Sequence, residues 1–130
     1  ALIRKTVDAV TREDDQVVVW GSGRPRREFL HVDDLAEACV FLMTNAWEIA
    51  PPLVNIGYGE DVSIEELART IMDVIGFKGR LAFDESKPDG TPRKLLDTRL
   101  ISQLGWRPRI TLREGIRHSW QDYLASSSHA

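Results

Sequence analysis

The sequence lacks several features that would place a protein at once. It holds one cysteine, Cys39, in 130 residues, so no disulfide can form within the chain and the usage fits a reducing cytoplasm. No apolar run approaches the ~20 residues needed to cross a bilayer. The opening Ala1-Leu2-Ile3-Arg4-Lys5 has no signal-peptide core, so no membrane partner is expected. Seventeen basic and 20 acidic residues give a net charge of −3, without a long basic block. That argues against a nucleic-acid partner. There is no P-loop and no G-x-G-x-x-G turn after a strand. Gly21 and Gly23 do follow a strand pattern, but the chain runs on through Pro25 into another extended segment. No helix N-terminus is expected there to receive a phosphate. His31, His118 and His129 show no metal-ligand spacing with the cysteine.

What is present is ordinary for a globular domain: 42% hydrophobic and 28% charged residues, at a length that suits one core. Leu2, Ile3, Val7 and Val10 recur at helical spacing, which predicts a helix over residues 2 to 13, broken by Asp14-Asp15. Gln16 to Trp20 is β-branched and reads as a strand ending in a Gly-Ser-Gly-Arg-Pro loop. Glu28 to Val32 is a second extended segment. Asp33 or Asp34 is placed to cap the helix that follows, with Leu35, Ala38, Cys39, Leu42 and Met43 as its buried face. Residues 45 to 52 form a connection stopped by Pro51-Pro52, and Leu53 to Gly57 reads as a strand. Ser63-Ile64-Glu65-Glu66 is a capping box. It opens a helix that carries Ile64, Leu67, Ala68, Ile71 and Ile75 inward and ends at Gly76. Arg80 to Phe83 is a strand, Lys87 to Pro92 a turn-rich loop, and helices follow near Leu100 and from Leu112 to Leu124.

Strands alternating with helices predict an α/β domain over residues 1 to 124, with a small mixed sheet, flanking helices and a disordered tail from 125 to 130. The chain opens inside a helix pattern with no capping residue before it, which suggests a piece of a longer protein.

Two loops carry candidate binding chemistry. Arg24, Arg26 and Arg27 lie in and after the Gly21–Pro25 loop, and an arginine fork matches a phosphate or diphosphate. Trp20 beside them suits a ligand with a flat ring and an anionic part. Composition leaves open that Trp20 is core and the arginines a solvated face. The second loop, Lys87-Pro88-Asp89-Gly90-Thr91-Pro92-Arg93-Lys94, sets basic groups and one carboxylate between two prolines, which lower the entropy lost on ordering a loop around a ligand. Asp89 could accept from sugar hydroxyls or a base edge, and Arg93 or Lys94 could meet phosphate; a plain surface turn is the competing reading. His31 near Asp33 and Asp34 reads as a strand-end histidine beside a helix cap rather than a metal or acid–base cluster.

Taken together these segments resemble a known family. Arg27 to Ala36 is similar to the R-x-F-h-[HY]-V-x-D-h-A segment of the extended short-chain dehydrogenases. Leu104-Gly105-Trp106-Arg107-Pro108 and Leu112-Arg113-Glu114-Gly115-Ile116 resemble the ending of the same superfamily. Two stretches are more specific. Val18 to Phe29 resembles the VVWGSG-x-P-x-REF segment of the GDP-L-fucose synthases, and Phe83 to Asp97 resembles that family's KPDGTPRKLLD region. The resemblance runs from Ala1 to about Leu124.

The resemblance implies a parent enzyme that epimerises GDP-4-keto-6-deoxy-mannose at two carbons and reduces it with NADPH to GDP-L-fucose, as a cytoplasmic homodimer. It implies substrate contacts at Lys5, Trp20, Arg27, Asp89 and Lys94. Lys5 is otherwise an ordinary helix-surface lysine. The family's NADP turn, its Ser-Tyr-Lys set and its acid–base cysteine and histidine would lie upstream of Ala1. This chain is therefore expected to supply GDP-sugar contacts, no catalytic residue, no metal ligand and no NADP contact, and to be inactive alone. Cys39 does not match the family's cysteine and is expected in the core. The strand and helix near residues 26 to 47 correspond to the end of the family's dinucleotide-binding sheet. Alone, they are expected to leave a strand edge unpaired and Leu35, Leu42 and Met43 exposed, favouring self-association. A stand-alone nucleotide-sugar binding module and part of a related sugar-nucleotide epimerase or dehydratase are the alternatives.

Overall fold

The computed structural model describes residues 1–46 and 48–127. Ten elements follow one another: α1 (Leu2–Thr11), β1 (Gln16–Trp20), β2 (Arg26–Glu28), α2 (Val32–Asn45), β3 (Asp61–Ser63), α3 (Ile64–Ile75), β4 (Arg80–Asp84), β5 (Arg93–Lys94), α4 (Arg99–Leu104) and α5 (Leu112–Ser127). The fold is α/β, with two small sheets flanked by helices. In one, β1 and β4 pair in parallel with Val18 opposite Ala82 and Trp20 opposite Asp84. In the other, β2 is the central strand, antiparallel to β3 and parallel to β5.

Alternation along β1 explains the first sheet. Val17 and Val19 are buried while Gln16, Val18 and Trp20 face outward, because successive side chains of a strand point to opposite faces. Val17 packs with Ala9, Met72 and Phe77. A second cluster gathers Leu67, Ile71 and Ile116, with Leu2, Ile3 and Phe29 against it. A third holds Ala38, Ile101 and Trp106. Ile101 is 1% exposed, and burying a side chain of that size stabilises by about 2 kcal/mol.

Local signals set the ends of α3. The Ser63 hydroxyl accepts from the Glu66 amide at 3.0 Å, and the Glu66 carboxylate accepts from the Ser63 amide at 2.7 Å. Gly76 closes the helix at φ +84°, a left-handed conformation that costs a residue with a β-carbon about 1 kcal/mol. The same box recurs at α5, where Thr111 N donates to Glu114 at 2.9 Å and Glu114 N to the Thr111 hydroxyl at 3.3 Å. That pattern was present in the sequence as Thr-x-x-Glu.

Several expectations are corrected. The cap of α2 is His31, whose Nδ1 accepts from Asp33 N at 3.3 Å. Asp34 is instead buried and accepts from the amides of Arg109 and Ile110, tying α2 to the segment before α5. On α2 only Ala38 of the expected apolar face is fully buried; Leu42 is half-buried, while Leu35, Met43 and Cys39 are exposed. Cys39 is thus no core residue. Exposure of Leu35 and Met43 agrees with the expectation for α2 standing alone, whereas Leu42 is partly covered.

Leu53–Gly57 joins no strand; β3 lies just beyond it, where Asp61–Ser63 find partners in β2. β2 is paired with β3 along its length and with β5 at Arg26 and Arg27, contrary to the expected unpaired strand at those two residues; Glu28 meets β3 alone. The helix α5 continues through Ser127, so residues 125 to 127 are helical rather than part of a disordered tail. Residues 128 to 130 of that tail lie outside the described residues. No helix of the described chain is long and apolar enough to cross a membrane.

Candidate functional site

The two candidate loops are laced together at Asp89. Its Oδ1 accepts from the Ser22 amide at 2.8 Å and its Oδ2 from the Ser22 hydroxyl at 2.6 Å. These bonds hold the Asp89 carboxyl below the usual carboxylate range, the hydroxyl contributing most, because both favour the ionised form. The approach requires a glycine next door. Gly21 has φ +82°, and a β-carbon on it would lie 2.4 Å from Asp89 Oδ1, inside van der Waals contact.

Trp20, at the end of β1, is 67% exposed. The alternative that it belongs to the core is excluded. Two ammonium groups approach its ring: Lys5 Nζ lies 5.2 Å from the ring centroid and Lys87 Nζ 5.6 Å, within range of a cation–π attraction. Lys5 also donates to the Val18 carbonyl at 3.1 Å. One helix lysine therefore covers the outer edge of β1 and one flank of the indole. Nothing in the sequence pattern of α1 marks Lys5 for this, since the contact depends on α1 packing beside β1.

Arg27 and Lys94 meet through the second sheet. They are opposed in the parallel register of β2 and β5, and opposed residues of adjacent strands share a face. Arg27 Nη1 donates to the Arg26 carbonyl at 2.7 Å, and its Nη2 lies 3.2 Å from where a β-carbon on Gly90 would sit. The guanidinium thus reaches the loop that carries Asp89. Among the described residues no carboxylate forms an ion pair with Arg27 or Lys94. No hydrogen bond or ring contact among those residues joins the Trp20 group to the Arg27 group; the 87–94 loop runs between them.

The neighbouring arginines are committed elsewhere. Arg26 and Arg93, opposed on the other face of the strands, both bind Asp61. Arg26 Nε lies 2.8 Å from Oδ1, its Nη2 donates to the Asp61 carbonyl at 2.8 Å, and Arg93 Nε meets Oδ2. The Asp61 side chain is 4% exposed, and the bond from Arg26, then that from Arg93, hold its carboxyl below the usual range. Arg26 is therefore structural and not part of a phosphate fork. Asp61 carried no signal in the sequence, because its role depends on two strands that only the fold brings beside it.

The Gly21–Pro25 loop does meet a helix N-terminus, that of α3, contrary to expectation. Its amides are already occupied: Ile64 N donates to the Pro25 carbonyl at 3.0 Å and Glu65 N to the Gly23 carbonyl at 2.9 Å. A dinucleotide pyrophosphate needs such amides free, so these residues do not fit NADP. An open, mostly apolar groove of about 630 Å³ runs past Arg27, Phe29, His31 and Leu67, and touches the candidate residues only at Arg27. At its rim the His31 and His118 rings meet edge to face at 5.5 Å. Among the described residues no group of three or more His, Cys, Asp or Glu is placed to hold a metal. Cations, an open indole and a pinned carboxylate are groups whose chemistry suits an anionic, ring-bearing ligand.

The chain is similar to known proteins in sequence and in fold. Residues 1–57 match the NAD dependent epimerase/dehydratase family. The chain is 52% identical over 124 residues to the putative GDP-L-fucose synthase 2 of Arabidopsis thaliana, covering 95% of this chain and 37% of that protein. It is 50% identical over 131 residues to the GDP-L-fucose synthase of Escherichia coli K12, covering 95% of this chain and 41% of the relative. The crystal structure of a GDP-L-fucose synthetase from Naegleria fowleri bound to NADP superposes with a TM-score of 0.87 at 28% identity, covering 99% of this chain and 40% of that one. The chain thus spans about two fifths of the length of the curated relatives it matches. Over that portion the chain is similar in sequence and fold to GDP-L-fucose synthases, with a mixed sheet and flanking helices.

Proposed function

We propose that this chain is the GDP-sugar-recognising portion of a GDP-L-fucose synthase, with Lys5, Trp20, Arg27, Asp89 and Lys94 as its ligand contacts. One observation carries the reading: Arg27 and Lys94 stand side by side on one sheet face, and among the described residues no carboxylate forms an ion pair with either. Two cations so spaced match a diphosphate, the arginine as a fork and the lysine as a point charge. Trp20 offers a ring platform, and the 87–94 loop, stiffened by Pro88 and Pro92, connects the two.

In the parent protein the same reading gives epimerisation and NADPH-dependent reduction of GDP-4-keto-6-deoxy-mannose. The hydride would come from NADPH held by the rest of that protein, in the cytoplasm and as a homodimer. Such chemistry needs a proton donor and ring-facing bases around one sugar; no catalytic role is proposed for any residue of this chain. Isolated, it is expected to leave NADPH unoxidised in the presence of the keto-sugar nucleotide.

Calorimetry of the chain with GDP and GDP-mannose tests the binding role. Heat of binding that falls at least tenfold in affinity with Arg27→Ala supports it, and absence of heat with the folded chain removes it. Pairing of β2 on both edges favours a unit that binds without the rest of the protein. A competition panel of GDP, UDP and dTDP sugars separates this reading from a related sugar-nucleotide enzyme. Val32, Leu35, Val40 and Met43 on α2 are exposed, and self-association through them would appear as a concentration-dependent sedimentation coefficient.

A further inference from the structure

Four basic residues lie in two opposed pairs across β2 and β5: Arg26 with Arg93, and Arg27 with Lys94. The pairs occupy opposite faces of the strands and differ in one respect. The first pair shares the carboxylate of Asp61, and among the described residues no carboxylate forms an ion pair with the second. We infer that Asp61 is a positioning residue for the diphosphate of the ligand: by clamping Arg26 and Arg93 on one face it fixes the register that holds Arg27 and Lys94 together on the other. This rests on the proposed reading of the site as a GDP-sugar site and assigns it a residue that touches no ligand.

The geometry explains why a clamp is needed. β5 is two residues long, too short to hold itself against β2 by backbone bonds alone. Besides its two-residue ladder to β2, Arg26 N donates to the Pro92 carbonyl at 2.8 Å, Leu96 N donates to the Glu28 carboxylate at 3.1 Å, and the Arg93 side chain binds Asp61. Asp61 itself is fixed by β3, where it lies opposite Glu28, and by two bonds from Arg26. The side chain of Arg93 is therefore the pin of β5, and Lys94 is the next residue. Asp61 also consumes the charge of both flanking arginines, aided by Glu66, which lies 3.4 Å from Arg26 Nη1. A phosphate is thereby left one attractive pair, on the face that also carries Val62 opposite Arg27.

The test compares GDP with GMP as probes by calorimetry on the full chain. GDP has a second phosphate to span Arg27 and Lys94; GMP can engage Arg27 alone. Asp61→Asn is expected to weaken GDP about tenfold and GMP less than twofold. Lys94→Ala added to Asp61→Asn is expected to cost no further GDP affinity, since non-additivity reports coupled residues. Arg93→Met cuts the same pin from the other end and leaves the Arg26–Asp61 pair in place, so it gives the same pattern even where Asp61→Asn fails to fold. Equal losses for GDP and GMP, or fully additive losses for residues 61 and 94, would overturn the inference while the GDP-site reading stands. A folded parent chain that binds neither nucleotide overturns both.

Discussion

Asp89 and Ser22, 67 residues apart in the chain, are joined by two short bonds, amide to Oδ1 at 2.8 Å and hydroxyl to Oδ2 at 2.6 Å. The contact makes one surface of two loops. Ser22→Ala removes the hydroxyl bond and keeps the amide bond. A net hydrogen bond is worth about 0.5–1.5 kcal/mol, so GDP affinity should fall by up to about tenfold if loop position governs binding. Titration calorimetry of the variant reads this directly, and an unchanged affinity would show that the loops are held otherwise.

Trp20 offers a clean separation of stability from binding. With 67% of its surface open, Trp20→Ala should change unfolding free energy by less than about 0.5 kcal/mol, as exposed substitutions do. Ring stacking on an aromatic side chain contributes about 1–3 kcal/mol, so the same variant should weaken GDP by at least fivefold. Urea unfolding and calorimetry on one preparation give both numbers. A large stability loss would return Trp20 to the core.

Asp34 predicts the opposite pattern. It is 2% exposed and accepts from the Arg109 and Ile110 amides. Asp34→Ala leaves both amides without their partner in a closed site, at about 1–3 kcal/mol each. A stability loss of about 2–4 kcal/mol in chemical denaturation is expected, with little change in nucleotide affinity beyond that of unfolding.

Acid should loosen the site in a defined direction. The carboxyls of Asp61 and Asp89 both lie below their ordinary value, through Arg26 and Ser22 respectively. A depressed folded value stabilises the folded state above the unfolded value, about pH 4, and that contribution is lost as pH falls through the folded value. Melting temperature should therefore be level from pH 7 to about 5 and fall below 4. Asp61→Asn should flatten part of that fall. A variant whose acid limb matches the parent would remove Asp61 as a contributor.

Much of the fold was legible because it depends on neighbours in sequence. The capping box at Ser63, the stop at Gly76, the strand Gln16–Trp20 and the strand from Arg80 follow from side chains within four residues of each other. Leu53–Gly57 and the face of α2 depart from their sequence patterns for a common reason. A short apolar stretch reads the same whether a strand partner or a covering layer exists, and only the fold supplies either. β3 and β5, three and two residues long, offer no periodicity to read.

The family resemblance, the α/β alternation and the two candidate segments were readable from sequence alone, because residues such as Trp20, Arg27, Asp89 and Lys94 carry their chemistry in their types. The tertiary structure alone decided which charges remain available. Arg26 and Arg27 are adjacent and chemically identical, yet strand alternation sends one to Asp61 and the other to the face shared with Lys94. It also decided that Trp20 is open and flanked by Lys5 and Lys87, since three distant segments must pack before any of them meets the indole.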